Sequence, residues 1–440
     1  MAAASSTPYC LPCQYLANEP AEVFGLRGTS YIMAELLDVA PPADRRQRLA
    51  PALLIASVVA LLAVTIPSPP NLVDLHVYLL GGAALEHPNT LYSLVYSGQS
   101  PMAGQSPTEP LPFIYPPFAA MLFYPLNFLP FAVAGLLWQL GILAATYGIV
   151  RMTQLLVGNG GHQEAMLWTA GVIWLEPVRV CLNMGQLGVF LTLAVMYAAY
   201  STRWWVSGLL VGLATGVKLT PAISGFYFVG MRRWAVAVTS AVVFIATVGL
   251  SALLVPSETR FYFTGLIGKF AVPVGTAINQ SWSGAIFRIL GYDAGHGPLV
   301  LSVLAVTAVL AVLAWQALGA GAQTRDRLGS LLVVEIFGLL ASPISWVHHW
   351  IWLVPLIIWL FTGVWRDKPG AQVLGWVWVG VTFVSVPSLL ALAEPGLWQF
   401  SRPWYQAWAG LIYVMVAMAT LGWMVVTGRR VAVDTYSGIK

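Results

Sequence analysis

The hydrophobic positions of this chain fall into long continuous runs that short polar segments separate. The first run begins near Pro51 and ends at about residue 66, and comparable runs follow as far as residue 427. Barrel strands alternate apolar and polar residues, whereas these runs do not alternate. The pattern therefore predicts an all-α integral membrane protein, because a helix satisfies its backbone hydrogen bonds within one segment.

The runs, read together with the positive residues between them, predict about twelve membrane-spanning helices with both termini in the cytoplasm. Lys and Arg beside a span remain on the inside, and Arg45, Arg46 and Arg48 precede the first run. Some of the runs are shorter than the roughly 20 residues that cross a bilayer. The predicted spans are 49–66, 131–151, 165–179, 184–201, 206–217, 219–231, 234–255, 298–318, 328–342, 350–365, 371–391 and 405–427.

The same pattern divides the chain into a membrane domain and two cytoplasmic tails. Residues 1–48 form the first tail, and residues 1–32 are expected to be an upstream extension without a fold, because Met33 opens a short polar tail and a basic cluster. The membrane domain is predicted over 49–428, and the second tail over 429–440.

Two long segments are predicted on the outer side, at 67–130 and 256–297. Because they carry Trp, Tyr and Phe, we expect them to fold against the membrane surface. The apolar stretch 115–130 within the first is expected to re-enter the membrane or to lie in its interface.

Composition agrees with this class and excludes others. Only 9% of the 440 residues are charged, against about 25% in soluble domains. The net charge of +4 reflects topology and does not indicate nucleic-acid binding, because Lys and Arg lie between apolar runs. Cys10 and Cys13 have no second pair with which to form a four-ligand zinc site, and Cys181 is expected to be a packed thiol.

Most positive residues mark the inside, which makes the exceptions informative. Fifteen of the 21 Lys and Arg residues fall in predicted inside segments. The other six are Arg179, Lys218, Arg260, Lys269, Arg288 and Arg402. A lysine at membrane depth is costly, so Lys218 in GVKLTP is a candidate anion site with phosphate as the best partner. Snorkelling to the interface is the other interpretation.

Asp74 lies seven residues after Pro67, at the predicted outer boundary of the membrane, and His76 and Tyr78 follow it. A carboxylate there can act as a general base when its surroundings hold its pKa near the working pH. An ordinary solvated loop aspartate has the same spacing, so spacing alone leaves both interpretations open. Tyr115 opens a rigid Tyr-Pro-Pro-Phe bend, which the start of a helix with proline in its first turn would explain. Tyr115 is also a candidate to line a sugar or lipid pocket.

Two further outer segments carry polar groups. Asn279 and Gln280, followed by Arg288, suit sugar recognition, although capping of a loop helix would use the same residue types. Of His348 and His349, at most one is expected in the site, since adjacent side chains on a helix point in different directions.

Two remaining acidic residues are harder to assign. Glu176 and Arg179 lie on another outer turn and are expected to pair with each other, and Glu335 in a span is paired or protonated.

Several motifs occur in the order found in one enzyme family. They are the early Asp74, YPPF, GxxxGxATxxKLTP from Gly208 to Pro221, NQS followed by Arg288, and SPISWxHHW. Over residues 50–430 the chain resembles the polyprenol-phosphate-sugar-dependent glycosyltransferases of family 87, which have the GT-C architecture. Within that family it is most similar to the mannosyltransferases of phosphatidylinositol mannoside synthesis.

The resemblance implies an inverting transfer on the periplasmic face. The donor would be polyprenyl phosphate β-mannose, and the acceptor a mannose 2-hydroxyl of a phosphatidylinositol tetramannoside. Asp74 would be the catalytic base, with no metal and no cofactor. The residues implied in donor phosphate and sugar binding are Lys218, Arg288, His348, His349, Gln280, Asn279, His76 and Tyr115.

Other functions remain compatible with the pattern. A polyprenyl-phosphate arabinofuranosyltransferase or a lipomannan-branching mannosyltransferase of the same family would share these motifs. A lipid or sugar transporter could use the same cavity, although transporters commonly carry internal repeats and the sequence reveals none.

Overall fold

The computed structural model describes residues 49–65, 67, 69–96, 111–267, 274–319, 325–394 and 402–437. The predicted tail 1–48, with its extension 1–32 and with Cys10 and Cys13, lies outside the described residues, as does Lys269. The described part of the chain from Leu49 onward forms one compact unit.

The described part of the first half of the chain is mostly helical, and it also contains one pair of two-residue strands. Val95 and Tyr96 of β1 pair antiparallel with Pro112 and Leu111 of β2. The helices are α1 (Ala50–Thr65), α2 (Val73–Ala83), α3 (Pro117–Phe123), α4 (Phe131–Val157), α5 (His162–Val172), α6 (Glu176–Met184), α7 (Gly188–Tyr200), α8 (Trp204–Val217), α9 (Ser224–Gly230) and α10 (Trp234–Leu254). Three 3₁₀ turns lie at Ala84–Glu86, Tyr124–Phe128 and Thr220–Ile223.

The described part of the second half is helical as well. Its helices are α11 (Pro256–Phe261), α12 (Trp282–Leu290), α13 (Pro298–Ala317), α14 (Arg327–Ala341), α15 (Leu353–Thr362), α16 (Ala371–Val384), α17 (Val386–Ala391), α18 (Trp404–Ala409) and α19 (Ile412–Ser437). A π-helical turn follows α11 at Tyr262–Leu266, and a 3₁₀ helix precedes α15 at Val347–Trp352.

Local sequence explains many of the helix ends. Proline occupies the first turn of α3, α6 and α13, where its missing N–H costs no intrahelical hydrogen bond. Gly158 and Gly185 end α4 and α6 with left-handed backbone, which glycine adopts without strain. The Ser281 hydroxyl accepts the Gly284 N–H and so caps α12.

Among the described residues, five helices are long and apolar enough to cross a membrane, or six if the bent pair α5–α6 counts as one. Four shorter apolar helices accompany them, so the protein is a multi-pass membrane protein. The prediction of an all-α membrane fold is confirmed, whereas the number twelve stays a prediction.

Two predicted spans are broken in the structure. The span 165–179 is wrong as one helix, because α5 and α6 meet at an angle of 77°. The predicted span 371–391 coincides with the spanning helix Ala371–Ala391, in which Ser385 at φ 61 marks a local change between α16 and α17. The span 405–427 is divided near Gly410, whose carbonyl accepts hydrogen bonds from Gln280 and Arg288 instead of continuing the helix.

Close helix contact brings the C-terminus of α8 into the bundle. Gly208, Gly212 and Gly216 face α10, and a Cβ at Gly212 would lie 2.7 Å from the Ser240 carbonyl oxygen. Small residues at this spacing allow two backbones to approach closely. The contact places Lys218, directly after α8, near Asp74 of α2 and near Tyr115, which precedes α3.

Candidate functional site

Asp74 lies in the first turn of α2, which starts from a residue in an unusual conformation. Leu72 has φ 49, and its N–H donates to the Asn183 carbonyl at 2.9 Å. The helix entry is therefore held against the end of α6. Oδ2 of Asp74 is buried and has no hydrogen-bond partner among the described residues.

The turn between α6 and α7 packs tightly against this helix start. A Cβ on Gly185 would lie 2.9 Å from the Leu75 Cβ, and the Gly185 carbonyl accepts the Trp138 indole N–H at 2.7 Å. Gln186 follows in the turn and is 2% exposed. The turn thus carries a buried amide to the face of α2 that bears Asp74.

The surroundings make Asp74 a stronger base than a solvated aspartate. Burial raises the pKa of Asp74 to about 6, although the Gln186 hydrogen bond and the charge of Lys218 act to lower it. A carboxylate with this pKa is ionised near neutral pH and still accepts a proton readily.

Lys218 approaches the same region from the end of α8. Its Nζ lies 2.8 Å from His349 Nε2 and 5.4 Å from the centroid of the Tyr115 ring. Burial lowers the pKa of Lys218 to about 8, while nearby Asp74 and Cys181 act to raise it. The structure therefore brings together four of the site residues predicted from the sequence: Asp74, Tyr115, Lys218 and His349.

Lys218 and His349 also line a cavity of about 380 Å³. Apolar side chains from α7, α14 and the 3₁₀ turn after Lys218 form most of its wall, together with Ser342 and Ser345. Glu335 lines it too and accepts a hydrogen bond from the Ser224 hydroxyl at 2.6 Å. Seven residues separate Glu335 from Ser342, so the cavity follows α14 for about 10 Å.

Asn279 and Gln280 lie behind the loop that leads to the histidines. Asn279 Oδ1 accepts the Ser345 N–H at 2.8 Å, and its Nδ2 donates to the Pro343 carbonyl at 3.0 Å. Gln280 bonds Ser345 through its backbone and Gly410 through its side chain. Their contacts therefore support the loop, and a direct contact with a sugar stays a prediction.

Arg288 belongs to this supporting cluster as well. Its guanidinium donates to the carbonyls of Thr276, Asn279 and Gly410 at 2.7 to 2.8 Å. None of these contacts within the described residues involves Lys218 or His349. Arg288 therefore does not contact Lys218, and its predicted role in phosphate binding stays a prediction.

The structure separates the three candidate histidines. His76 points away from Asp74 and stacks on Phe131 with ring centroids 3.8 Å apart, because two residues turn about 200° around a helix. His349 lines the cavity and His348 does not. The two rings still lie 4.4 Å apart, edge to face.

The predicted pairing of Glu176 with Arg179 is wrong in the described structure. Glu176 accepts hydrogen bonds from the Ser388 N–H at 3.0 Å and from the Tyr413 hydroxyl at 2.5 Å. Arg179 donates to the Phe383 carbonyl at 3.3 Å. Both side chains therefore attach α6 to the region between α16 and α19.

Gln186 is the buried polar residue at this site that sequence reasoning missed. Tyr78, which lies one helical turn after Asp74, donates to Gln186 Oε1 at 3.1 Å. The i, i+4 spacing of Asp74 and Tyr78 indicates a shared face. It does not indicate that a residue more than a hundred positions away bonds to that face.

The fold and this site define a class: a multi-pass membrane protein with a carboxylate and a lysine–histidine pair beside a largely apolar cavity. The chain belongs to glycosyltransferase family 87, whose family pattern matches residues 113–343. It is therefore a membrane-bound glycosyltransferase. Among the residues that the structure describes, no group of three or more His, Cys, Asp or Glu could hold a metal ion.

Curated relatives cover nearly the whole chain. A protein of Mycobacterium tuberculosis is 54% identical over 96% of this chain and 98% of its own length, and one of Mycolicibacterium smegmatis is 55% identical over 87% and 93%. Both are named polyprenol-phosphate-mannose-dependent alpha-(1-2)-phosphatidylinositol pentamannoside mannosyltransferase.

A second pair of relatives is more distant. A Mycolicibacterium smegmatis phosphatidylinositol mannoside mannosyltransferase is 32% identical over 66% of this chain and 69% of its own length. No solved structure matches the chain significantly.

Proposed function

We propose that this protein transfers mannose from polyprenyl phosphate β-mannose to a phosphatidylinositol tetramannoside, forming an α-1,2 linkage on the periplasmic face. The names of these relatives all give polyprenol-phosphate mannose as the donor, and those at 54% and 55% identity name the pentamannoside, which supports the later acceptor over the one in the name of the 32% identical relative. The observation that carries the mechanism is the half-buried Asp74 side chain near the Lys218–His349 pair.

Asp74 is the general base of the proposed reaction. Its carboxylate accepts the proton of the acceptor 2-hydroxyl as that oxygen attacks the anomeric carbon of mannose. The bond from this carbon to the phosphate oxygen breaks on the opposite side, which inverts the β-linked donor to an α-linked product. The raised pKa of Asp74 suits this proton transfer near neutral pH.

Lys218 and His349 are the proposed ligands of the donor phosphate. They lie 2.8 Å apart at the cavity and present nitrogen atoms from two different elements. Polyprenyl phosphate leaves as an anion, and a fixed cation stabilises the negative charge that develops on the bridging oxygen. The adjoining apolar wall suits the first isoprenoid units of the donor.

Replacing Asp74 with Asn tests the base assignment. The amide keeps the size of the side chain and cannot take the proton, so we expect transfer to fall by at least about 10²-fold while donor binding persists. The assay follows radiolabelled mannose from polyprenyl phosphate mannose into purified tetramannoside, with linkage analysis of the product.

Asp293→Asn is the matched control, because Asp293 is exposed and bonds only locally, to the Gly295 N–H. We expect this variant to transfer mannose at the wild-type rate. Full activity in Asp74→Asn would reject Asp74 as the base. Lipid flux across vesicles without a new glycosidic bond would instead favour a transporter.

A further inference from the structure

Gln186 is a buried amide that contacts the Asp74 region from a different part of the chain. Its Oε1 accepts the Tyr78 hydroxyl hydrogen at 3.1 Å. The same Tyr78 oxygen accepts the Leu187 N–H at 3.4 Å and lies 3.3 Å from the Tyr115 hydroxyl. Because Oε1 is occupied as an acceptor, the orientation of the amide is set, and Nε2 remains as the donor.

The donor side of this amide faces Asp74. Asp74 and Tyr78 lie one turn apart on the same face of α2, so a side chain that bonds Tyr78 runs along the face that carries the carboxyl group. Gln186 is also the side chain whose hydrogen bonding lowers the pKa of Asp74 against the effect of burial, so the amide lies close to the carboxyl group. Oδ2 of Asp74 is buried and has no hydrogen-bond partner within the described part of the chain.

The backbone around Gln186 is held firmly in place. Leu72 and Trp138 each donate to carbonyls of the turn, those of Asn183 and Gly185. The Gly185 backbone packs so closely on Leu75 that a methyl group would not fit without movement. A donor on such a turn can hold its acceptor in one rotamer, which a side chain on a mobile loop cannot do.

We propose that Gln186 is a positioning residue for the glycosyl transfer, which orients the Asp74 carboxylate toward the acceptor hydroxyl. This inference rests on the proposed role of Asp74 as the base. A second consequence follows from hydrogen bonding to the charged form, which favours ionisation and so opposes the effect of burial on the pKa of Asp74. Gln186 acts through Asp74 and does not touch the substrate.

Substitution of Gln186 by Met tests the proposal, since Met has a similar shape and no N–H donor. We expect the acid limb of the pH profile of kcat/KM to move upward by about one pH unit, because the carboxylate loses a stabilising donor. At pH 5 kcat/KM should fall about tenfold and at pH 6 about fivefold, and KM for the donor should stay within about twofold of wild type. Mannosyl transfer is measured from pH 5 to pH 9.

Gln186→Glu is the second variant, and it retains the acceptor for Tyr78. A second carboxyl group beside Asp74 also raises the pH at which the base ionises, so the limb moves in the same direction. The matched control is Gln139→Leu, which removes a half-buried amide that donates to the Leu182 carbonyl at 3.4 Å. Its acid limb should coincide with that of wild type.

The outcomes separate this inference from the proposed function. If wild type transfers no mannose, the proposed function fails first. If wild type is active and both Gln186 variants keep the wild-type acid limb, only the positioning role is overturned. Gel filtration and thermal melting check folding, and a loss of fold in both variants would show that Gln186 is purely structural and would also overturn it.

Discussion

At the scale of single residues, the site combines groups whose pKa values shift toward each other. Burial raises the pKa of Asp74 to about 6 and lowers that of Lys218 to about 8. The base must be deprotonated and the phosphate ligand protonated. The active form therefore exists between these two values.

The wild-type kcat/KM should consequently show a bell-shaped dependence on pH. Activity should rise as pH increases through about 6, where Asp74 loses its proton, and should fall above about 8, where Lys218 loses its own. The measurement is transfer at limiting donor concentration in buffers of constant ionic strength.

Lys218→Arg distinguishes the two limbs. Arginine stays charged over this pH range, so the variant should lose the alkaline limb while the acid limb remains. An alkaline limb that is unchanged in Lys218→Arg would assign it to another group.

At the scale of elements, the loop 342–346 joins α14 to the 3₁₀ helix that carries His349, and a second loop supports it. Asn279 forms an isolated bridge with Trp346 and makes side-chain hydrogen bonds to Ser345 and Pro343. These contacts set where the helix begins and hence where His349 points.

Asn279→Ala should destabilise this element. Asn279 is fully buried, and its loss removes the partner of the Ser345 N–H and of the Val274 carbonyl, while the Pro343 carbonyl keeps the Ser281 hydroxyl. Each unsatisfied buried group costs about 1–3 kcal/mol, so we expect a lower melting temperature and a raised KM for the donor.

Asn159→Ala serves as the comparison, because that exposed side chain makes one hydrogen bond, to the Thr362 carbonyl at 3.1 Å. It should melt like wild type. A normal melting temperature and normal donor KM in Asn279→Ala would contradict the supporting role of the loop.

At the scale of the whole molecule, the proposed orientation specifies which loops lie on the periplasmic side of the membrane. Tyr292 lies in the predicted outer segment 256–297 and is 60% exposed. Asp367 lies beside the predicted inside markers Arg366 and Lys368, and its side chain is 84% exposed.

Cysteine labelling in whole cells tests this orientation. In a chain whose Cys10, Cys13 and Cys181 are replaced by Ser, a membrane-impermeant maleimide should label Tyr292→Cys from outside. Asp367→Cys should react only after the membrane is opened. The reverse pattern would place the site on the cytoplasmic face.

Much of this architecture follows from local pattern. The predicted spans 49–66 and 234–255 correspond to Ala50–Thr65 and Trp234–Leu254, because apolar runs and flanking Pro, Gly and Arg act over a few residues. The α5–α6 bend and the break near Gly410 were not predicted. Gly410 makes its contacts with residues more than a hundred positions away.

The sequence by itself determined the membrane class, the family and the chemical identity of the candidate groups, since these depend on residue types and on motif order. Only the tertiary structure decided which groups meet. Lys218 contacts His349, which lies 131 positions further along the chain, and Gln186 lies beside Asp74 and Tyr78. Three other candidates lie behind the loop 342–346: Asn279, Gln280 and Arg288. Such contacts arise from helix packing and from hydrogen bonds between distant segments, which no local pattern encodes.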